Sequence, residues 1–225
     1  GVTRVNVCGD HGGVEYLTAD VPLQGFGERM SDRLIHWAKT TPDETFIAQR
    51  ERLPDGQLGD WRRVSYAQAL DTARRIGQAL LDRGLSPERP VVILSDNGID
   101  HALLALGCIY VGVPFSPASP AYSTVSKDYG KLRHVIDTLT PGLIWAEDGD
   151  RYGPALAATA PADAEIMVSR HVDHAQLKGR PATLLADLLA TTPTPAVDAA
   201  QAATGPDTIV KFLFTSGSTK LPKAV

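Results

Sequence analysis

The sequence has few cysteines, no long apolar run and no excess of positive charge, and each shortage excludes a class of protein. Only two cysteines, Cys8 and Cys108, occur among the 225 residues. A disulfide scaffold or a zinc-binding cysteine cluster is therefore not expected. Cys108 lies in an apolar run, so we predict that it is a buried hydrophobic residue. Because disulfides are not expected, we predict a reducing, cytoplasmic location.

Membrane-spanning and nucleic-acid-binding patterns are also missing. No stretch approaches the roughly 20 apolar residues needed to cross a bilayer, and the first residues lack the basic-then-apolar pattern of a signal peptide. The formal net charge is −4, and no basic stripe carries interleaved aromatic residues. We therefore expect neither a membrane nor a nucleic acid as a partner. Neither the G-x-x-x-x-G-K-[ST] P-loop nor the G-x-G-x-x-G dinucleotide motif occurs.

Short apolar segments alternate with helical patterns along most of the chain. The residues at 91–94 are all apolar, which is typical of a strand buried on both faces. Ser65 and Gln68 form a capping-box pattern before a long helix that ends at Gly84. Asp96 is predicted, with its neighbour Asn97, to cap the next helix. Further strands are predicted at 45–50, 61–64, 113–116, 143–146, 165–168 and 209–214, and further helices at 32–40, 99–111, 127–139, 152–159 and 183–191.

This alternation predicts an α/β fold in which a parallel sheet carries helices on both faces. In such sheets ligands bind outside the carboxyl ends of the strands. Residues 1–28 are rich in glycine and weakly periodic, so we predict an irregular N-terminal arm followed by one domain at 29–225. The Pro-, Ala- and Thr-rich segment 193–206 is predicted to be a surface connection.

The segment after the last predicted strand is the most informative in the chain. Its hydroxyls, backbone N–H groups and lysines are the donors that a polyphosphate requires. A generic Ser/Thr/Gly turn is more often a solvated loop, but the ordered run T-S-G-S-T-x-x-P-K is far more specific than that. The predicted nucleotide-binding residues are Thr215, Ser216, Gly217, Ser218, Thr219, Lys220 and Lys223.

This run closely resembles the phosphate-binding signature of the adenylate-forming superfamily, approximately [ST]-[ST]-G-[ST]-[ST]-G-x-P-K-G. The chain departs from that signature at Lys220 and Ala224, where the family usually has glycine. The resemblance extends upstream through residues 61–66, the turn from Gly84 to Val91 and the segment 112–115. Within the superfamily, residues 116–123, 130–134 and 211–219 look most like feruloyl-CoA synthases.

The resemblance implies the N-terminal portion of an ATP-dependent acid–CoA ligase, truncated after the phosphate loop. Such ligases join a carboxylate to AMP with release of pyrophosphate, and the thiol of coenzyme A then displaces AMP. The implied partners are ATP, Mg²⁺, coenzyme A and a small carboxylic acid, here a hydroxycinnamate such as ferulate. Lys223 and Lys220 are the implied electrostatic partners of the β- and γ-phosphates. The family's catalytic and metal-binding residues lie downstream, so we expect none here and no turnover by these residues alone.

Two alternatives remain open. A self-contained α/β module could bind a phosphorylated ligand or a protein partner without catalysis, and a peptide-synthetase-type adenylation domain would use the thiol of a carrier protein as its acceptor. The sequence leaves the oligomeric state open, and a homo-oligomer is one of the alternatives.

Other polar residues have plainer interpretations. His171 and His174 are spaced like a metal pair, but a solvated loop is the commoner explanation. Asp148 and Asp150 are predicted to lie in a turn. His134 is predicted on a solvated helix face. His101 is predicted to have a local structural role.

Overall fold

The structure is a computed structural model that describes residues 4–10, 12, 14–21, 25–53, 56–172, 177–215 and 221–225. The strands are β1 (Val5–Asp10), β2 (Glu15–Ala19), β3 (Thr45–Arg52), β4 (Leu58–Ser65), β5 (Val91–Leu94), β6 (Phe115–Pro117), β7 (Leu143–Asp148), β8 (Glu165–Arg170), β9 (Thr183–Leu184), β10 (Phe214–Thr215) and β11 (Lys223–Ala224). The helices are α1 (Asp32–Thr40), α2 (Tyr66–Asp82), α3 (Ile99–Val111), α4 (Ala121–Thr124), α5 (Gly130–Leu139), α6 (Gly149–Thr159), α7 (Leu185–Leu189) and α8 (Pro195–Ala203).

A parallel five-stranded sheet in the order β6-β5-β7-β8-β9 forms the centre of the fold. Three antiparallel pairs, β1–β2, β3–β4 and β10–β11, lie outside it. The predicted α/β class with a parallel sheet is therefore confirmed. Every residue of β5 is fully buried, as its unbroken apolar sequence predicts.

Alternate residues of the central strands enter two separate hydrophobic clusters, so both faces of the sheet are covered. Val91 and Ile93 pack with apolar residues of α2, α3, α7 and α8. Val92 and Leu94 pack with residues of α5 and α6 on the opposite face. Because successive side chains of a strand point to opposite faces, one short strand supports both helix layers.

The contact between α2 and α3 depends on glycine. Gly77 of α2 lies against Val111, and a Cβ built on it would be 2.7 Å from Val111 Cγ1. A Cβ on Gly107 of α3 would overlap the side chain of Ile76. These glycines therefore let the two helix backbones approach closely, and the smallest residue is required there for packing.

Local capping signals were predicted well where the partners are close in sequence. At the start of α2, Ser65 Oγ accepts from the Gln68 N–H, and Gln68 Oε1 accepts from the Ser65 N–H at 2.9 Å. Gly84 follows the helix with φ of +65°, as the predicted left-handed cap requires. Each signal lies within one turn of the helix terminus that it marks.

The predicted cap of α3 is wrong. The N-cap is Gly98, and the N–H of Ile99 donates to Oε1 of Gln49 at 3.1 Å. Asp96 instead pairs with Arg151 at 2.5 Å. The cap comes from β3, 50 positions away in the chain, where no local pattern could reveal it.

The predicted surface connection at 193–206 is also wrong in its central part, because α8 forms there. Thr194 caps this helix and Pro195 occupies its first turn, where a missing N–H causes no loss. Val197 is fully buried, and Asp198 accepts hydrogen bonds from Arg74 of α2 and Tyr110 of α3. Alanine-rich composition and these contacts outweigh the proline and threonine content.

Three further local features differ from the predictions. Residues of the predicted irregular arm pair as the β1–β2 hairpin, although the predicted boundary at residue 29 stays a prediction. α5 begins at Gly130 rather than at 127, because Tyr129 has a left-handed backbone with φ of 54°. The predicted helix at 183–191 begins with β9, which pairs in parallel with β8, and only then continues as α7.

We expect Gly107→Ala to lower the free energy of unfolding by about 1–3 kcal/mol, the usual effect of overpacking. This loss should outweigh the gain in helix propensity of about 1 kcal/mol. Urea denaturation followed by far-UV circular dichroism measures the difference. Gly130→Ala is the matched control, since its Cβ would lie 3.4 Å from Asp128 Oδ2, an ordinary contact. Equal stability of Gly107→Ala and the unmodified chain would contradict the packing argument.

Candidate functional site

The candidate site is the β10–β11 hairpin, which joins the two ends of the hydroxyl-rich segment. Thr215 is directly opposite Lys223 in the antiparallel pair. Just outside this pair, Leu213 and Val225 exchange two backbone hydrogen bonds of 2.9 and 2.8 Å. The first and last residues of the predicted phosphate-binding set therefore lie next to each other.

The hydroxyl of Thr215 and the ammonium of Lys223 lie on one face of this hairpin. Directly opposed residues of an antiparallel pair place their side chains on the same face. Phe214 belongs to the opposite face, since side chains alternate along a strand. Thr215 and Lys223 are both exposed, so their polar groups are accessible to a ligand.

The middle of the predicted set lies outside the described residues. Those positions are Ser216, Gly217, Ser218, Thr219 and Lys220. Their predicted contacts with phosphate stay predictions, whereas the structure establishes that Thr215 and Lys223 are adjacent at the base of the loop.

The segment leading into the hairpin runs parallel to β6. The N–H of Phe115 donates to the Val210 carbonyl at 3.2 Å, and the N–H of Phe212 donates to the Phe115 carbonyl at 3.0 Å. The hydroxyl of Ser116, which is fully buried, also donates to the Phe212 carbonyl at 2.9 Å. Because this pairing is parallel, the hairpin begins at the carboxyl edge of the sheet, where ligands are expected.

The strand predicted at 209–214 forms only in part. Only Lys211 forms a bridge to β6, and Ile209 and Leu213 expose 50% and 41% of their surface. Phe212 and Phe214 nevertheless pack against the cluster beneath α5. At the end of this segment, Leu213 and Phe214 pair with Val225 and Ala224.

α5 contacts both sides of the hairpin through His134. The imidazole lies edge-on to the ring of Phe214, with centroids 6.2 Å apart and an interplanar angle of 84°. Its Nε2 is 2.9 Å from the carbonyl oxygen of Pro222. Because a carbonyl oxygen only accepts, Nε2 carries the proton and donates. The predicted solvated position for His134 is therefore wrong, since it lies partly buried against the candidate site.

A shallow cavity of about 410 Å³ lies beside the hairpin. It is lined by apolar parts of Val125 and Leu221, together with Tyr122 and Lys131. The Lys131 ammonium lies 5.5 Å from the centroid of the Tyr122 ring, within the range of a cation–π interaction. This cavity places a second cationic side chain close to the hairpin.

A family model described as AMP-binding enzyme matches residues 34–225. The chain belongs to the AMP-binding enzyme family. The predicted membership of the adenylate-forming superfamily is confirmed, and the finer likeness to feruloyl-CoA synthases stays a prediction.

Individual relatives are a little over a quarter identical to this chain over the residues that align. The fatty acid–[acyl-carrier-protein] ligase ScoC of Streptomyces coeruleorubidus is 29% identical over 196 residues, which cover 86% of this chain and 34% of ScoC. A salicylyl-CoA synthase/salicylate adenylyltransferase of a Streptomyces species is 26% identical over 203 residues, covering 88% of this chain and 34% of the relative. The chain thus spans about a third of the length of these curated relatives.

A solved structure shows the same fold. The fatty acyl-adenylate ligase from L. pneumophila, in complex with acyl adenylate and pyrophosphate, has a TM-score of 0.59 and 20% sequence identity. The similarity covers 88% of this chain and 30% of that ligase. At this level of identity, the likeness establishes the AMP-binding fold alone.

A separate polar group lies at the carboxyl ends of β7 and β8 of this AMP-binding chain. Ligand atoms of Asp148, Asp150 and His171 lie within 4.8 Å of one another. Asp148 already accepts from Arg170 Nε at 2.8 Å and from His171 Nδ1 at 2.8 Å. A metal ion would have to displace these donors, so we assign this group to structure. His174, the predicted companion of His171, lies outside the described residues.

Asp148 is the N-cap of α6, which corrects the prediction of a simple turn. Its carboxylate accepts from the backbone N–H groups of Asp150 and Arg151. Partial burial alone would raise its pKa, but the hydrogen bonds from His171, Arg170 and the helix N-terminus outweigh burial and lower the pKa to about 2. The ionised carboxylate thus holds the ends of β7 and β8 together.

His101 has the predicted local role. Its Nδ1 lies 3.0 Å from Ser95 Oγ, and its ring is edge-on to Trp145 with centroids 6.5 Å apart. Burial lowers the pKa of His101 and so favours the neutral imidazole. The residue also lines a cavity of about 370 Å³ between β3 and the start of α3.

Within the described residues, no helix is long and apolar enough to cross a membrane.

We expect Asp148→Asn to lower the free energy of unfolding by about 1–2 kcal/mol near neutral pH. Since the pKa of Asp148 is lowered by folding, its stabilising effect is present above its ordinary pKa of about 4. The effect is lost as the pH falls toward about 2. Urea denaturation over this range should show the two proteins converging in acid. Asp137→Asn, on the exposed face of α5, is the control, and a pH-independent difference would contradict the assignment.

Proposed function

We propose that this chain supplies the part of an ATP-dependent acid–thiol ligase that binds the β- and γ-phosphates of the nucleotide. One observation carries the proposal: Thr215 and Lys223, the ends of the T-S-G-S-T-x-x-P-K run, are paired on one exposed face of a hairpin. That hairpin begins at the carboxyl edge of a parallel sheet. Membership of the AMP-binding family supports the same assignment.

The chemistry of the hairpin fits a polyphosphate. Thr215 offers a hydroxyl, Lys223 offers an ammonium, and neither of the described segments 213–215 and 221–225 contains an acidic side chain. Hydroxyl, backbone amide and ammonium groups all donate to phosphate oxygens, and the hydrogen bond from the charged ammonium is the strongest of the three. Mg²⁺ is commonly bound by the substrate's phosphates with only one or two protein groups, so we propose that it enters with the nucleotide as part of the substrate.

In the proposed reaction this hairpin acts on the departing end of the nucleotide. Attack of a carboxylate on the α-phosphorus breaks the bond to the β-phosphate, and pyrophosphate leaves with additional negative charge. A cation fixed beside that charge before the reaction lowers the barrier, because no reorganisation is needed. The proposed role of Lys223 is this electrostatic one, with Thr215 and the intervening residues Ser216–Lys220 holding the phosphates in place.

The acid and the acceptor belong to the whole ligase, since the chain spans about a third of the length of ScoC and of the salicylyl-CoA synthase. We propose an aromatic carboxylate, a hydroxycinnamate such as ferulate, and coenzyme A as the acceptor. One relative, the salicylyl-CoA synthase, is named for an aromatic acid and for coenzyme A. ScoC favours a second candidate, a fatty acid passed to a carrier protein.

We expect Lys223→Ala to weaken binding of magnesium tripolyphosphate by about tenfold, because a charged hydrogen-bond donor to phosphate is lost. Isothermal titration calorimetry on the chain of 225 residues measures the dissociation constant directly. Lys39→Ala is the matched control, since Lys39 is exposed in the last turn of α1. Equal affinity of Lys223→Ala and the unmodified chain would remove the proposed phosphate site. A non-catalytic phosphate-binding module would also bind tripolyphosphate in this way, but it would not catalyse ATP–pyrophosphate exchange.

The reaction is tested by ATP–pyrophosphate exchange in the complete ligase that contains this chain. Ferulate should stimulate exchange above background, and Lys223→Ala should reduce it at least tenfold, in line with the binding loss. Thioester formation with coenzyme A and with an acyl carrier protein then separates the two acceptors. Exchange stimulated by fatty acids alone would replace the aromatic proposal by the second candidate. Absence of exchange with every acid would favour the non-catalytic module.

A further inference from the structure

The two sides of the β10–β11 hairpin are held by different elements of the fold. On the incoming side, Ser116 of β6 donates to the Phe212 carbonyl at 2.9 Å. On the outgoing side, His134 of α5 donates to the Pro222 carbonyl at 2.9 Å. Each contact lies one to three residues from a member of the Thr215–Lys223 pair. The hairpin is therefore fixed on both sides by side chains from other elements of the fold, one from β6 and one from α5.

The outgoing contact has particular weight because Pro222 has no N–H group. The backbone of Pro222 can therefore take part in a hydrogen bond through its carbonyl oxygen. That oxygen accepts the hydrogen bond from His134 Nε2. Pro222 is buried, while Lys223 beside it is exposed. The residue immediately before the proposed phosphate-binding lysine is thus fixed to α5.

The position of His134 is itself well determined. Its neighbours Leu132, Val135 and Ile136 are fully buried in the cluster beneath the sheet, which sets the rotation of α5. The edge-on contact with Phe214 orients the imidazole ring. One side chain therefore contacts the incoming side through Phe214 and the outgoing side through Pro222.

We propose that His134 is a positioning residue for phosphate binding, which keeps Lys223 beside Thr215 by fixing Pro222. This inference rests on the proposed function of the hairpin. β11 has two residues, and a pair of strands this short is at best marginally stable by itself. The contact with His134 replaces part of that missing stability, so that less conformational freedom is lost when phosphate binds.

The experiment compares His134→Phe and His134→Gln in the chain of 225 residues. Phenylalanine keeps an aromatic ring against Phe214 but cannot donate, whereas the glutamine amide can donate to the Pro222 carbonyl. With magnesium tripolyphosphate as the probe, we expect His134→Phe to weaken binding about fivefold, the usual effect of one lost hydrogen bond. His134→Gln should restore most of that loss. His36→Phe, on the exposed part of α1, is the matched control and should bind as the unmodified chain does.

Amide hydrogen exchange supplies a readout that does not require phosphate. In His134→Phe the Leu213 and Val225 amides, which close the hairpin, should exchange at least fivefold faster. The amide of Ile93 in the central strand should not change, which separates local opening from global destabilisation. Unchanged exchange at Leu213 and Val225 would overturn the inference, as would faster exchange of all three amides together.

The binding outcomes separate this inference from the proposed function. If the unmodified chain binds tripolyphosphate and His134→Phe binds it equally well, the inference alone is overturned. If both His134 variants lose affinity equally, the hydrogen bond is not the cause, and the inference is again overturned. If the unmodified chain does not bind tripolyphosphate, the proposed function is overturned and this inference with it.

Discussion

The candidate site depends on one interaction, the parallel pairing of the segment before the hairpin with β6. The hydrogen bonds between Phe115 and residues Val210 and Phe212 bring this segment to the edge of the sheet. Because the pairing is parallel, the chain leaves the sheet at its carboxyl edge, where the helices that follow the strands leave room for a ligand. An antiparallel pairing would place the same hydroxyls and lysines at the opposite edge.

The sheet in turn depends on being buried on both faces. β5 supplies alternate residues to two clusters, one beneath α2 and α3 and the other beneath α5 and α6. The second cluster also includes Phe212 and Phe214 of the hairpin side. Hydrophobic burial therefore does more than stabilise the domain, since it fixes α5 and the proposed phosphate-binding segment relative to each other.

The arrangement differs from sites in which phosphate binds at the N-terminus of a helix. Among the described residues after Thr215, the chain forms β11 and no helix, so this part of the hairpin contributes individual donors rather than a helix N-terminus. Affinity would come from individual donors, and their placement then matters more. Contacts such as those of Ser116 and His134 with the hairpin supply that placement.

The sequence by itself determined those features whose causes are local. The strand–helix alternation, the capping box at Ser65 and the apolar strand at 91–94 follow from patterns a few residues long. The T-S-G-S-T-x-x-P-K run indicated the family for the same reason. α8 could have been predicted from Thr194 and Pro195, but the surrounding composition favoured a connection.

Only the tertiary structure decided which distant residues meet. His134 contacts Pro222 across 88 positions, and Gln49 caps α3 across 50. Asp148 is joined to His171 from the next strand of the sheet. Such contacts are set by the order of strands and by which face of a helix is buried. A single hydrogen bond between distant residues leaves no repeating pattern in the sequence, and its partners become neighbours only when the hydrophobic layers have assembled.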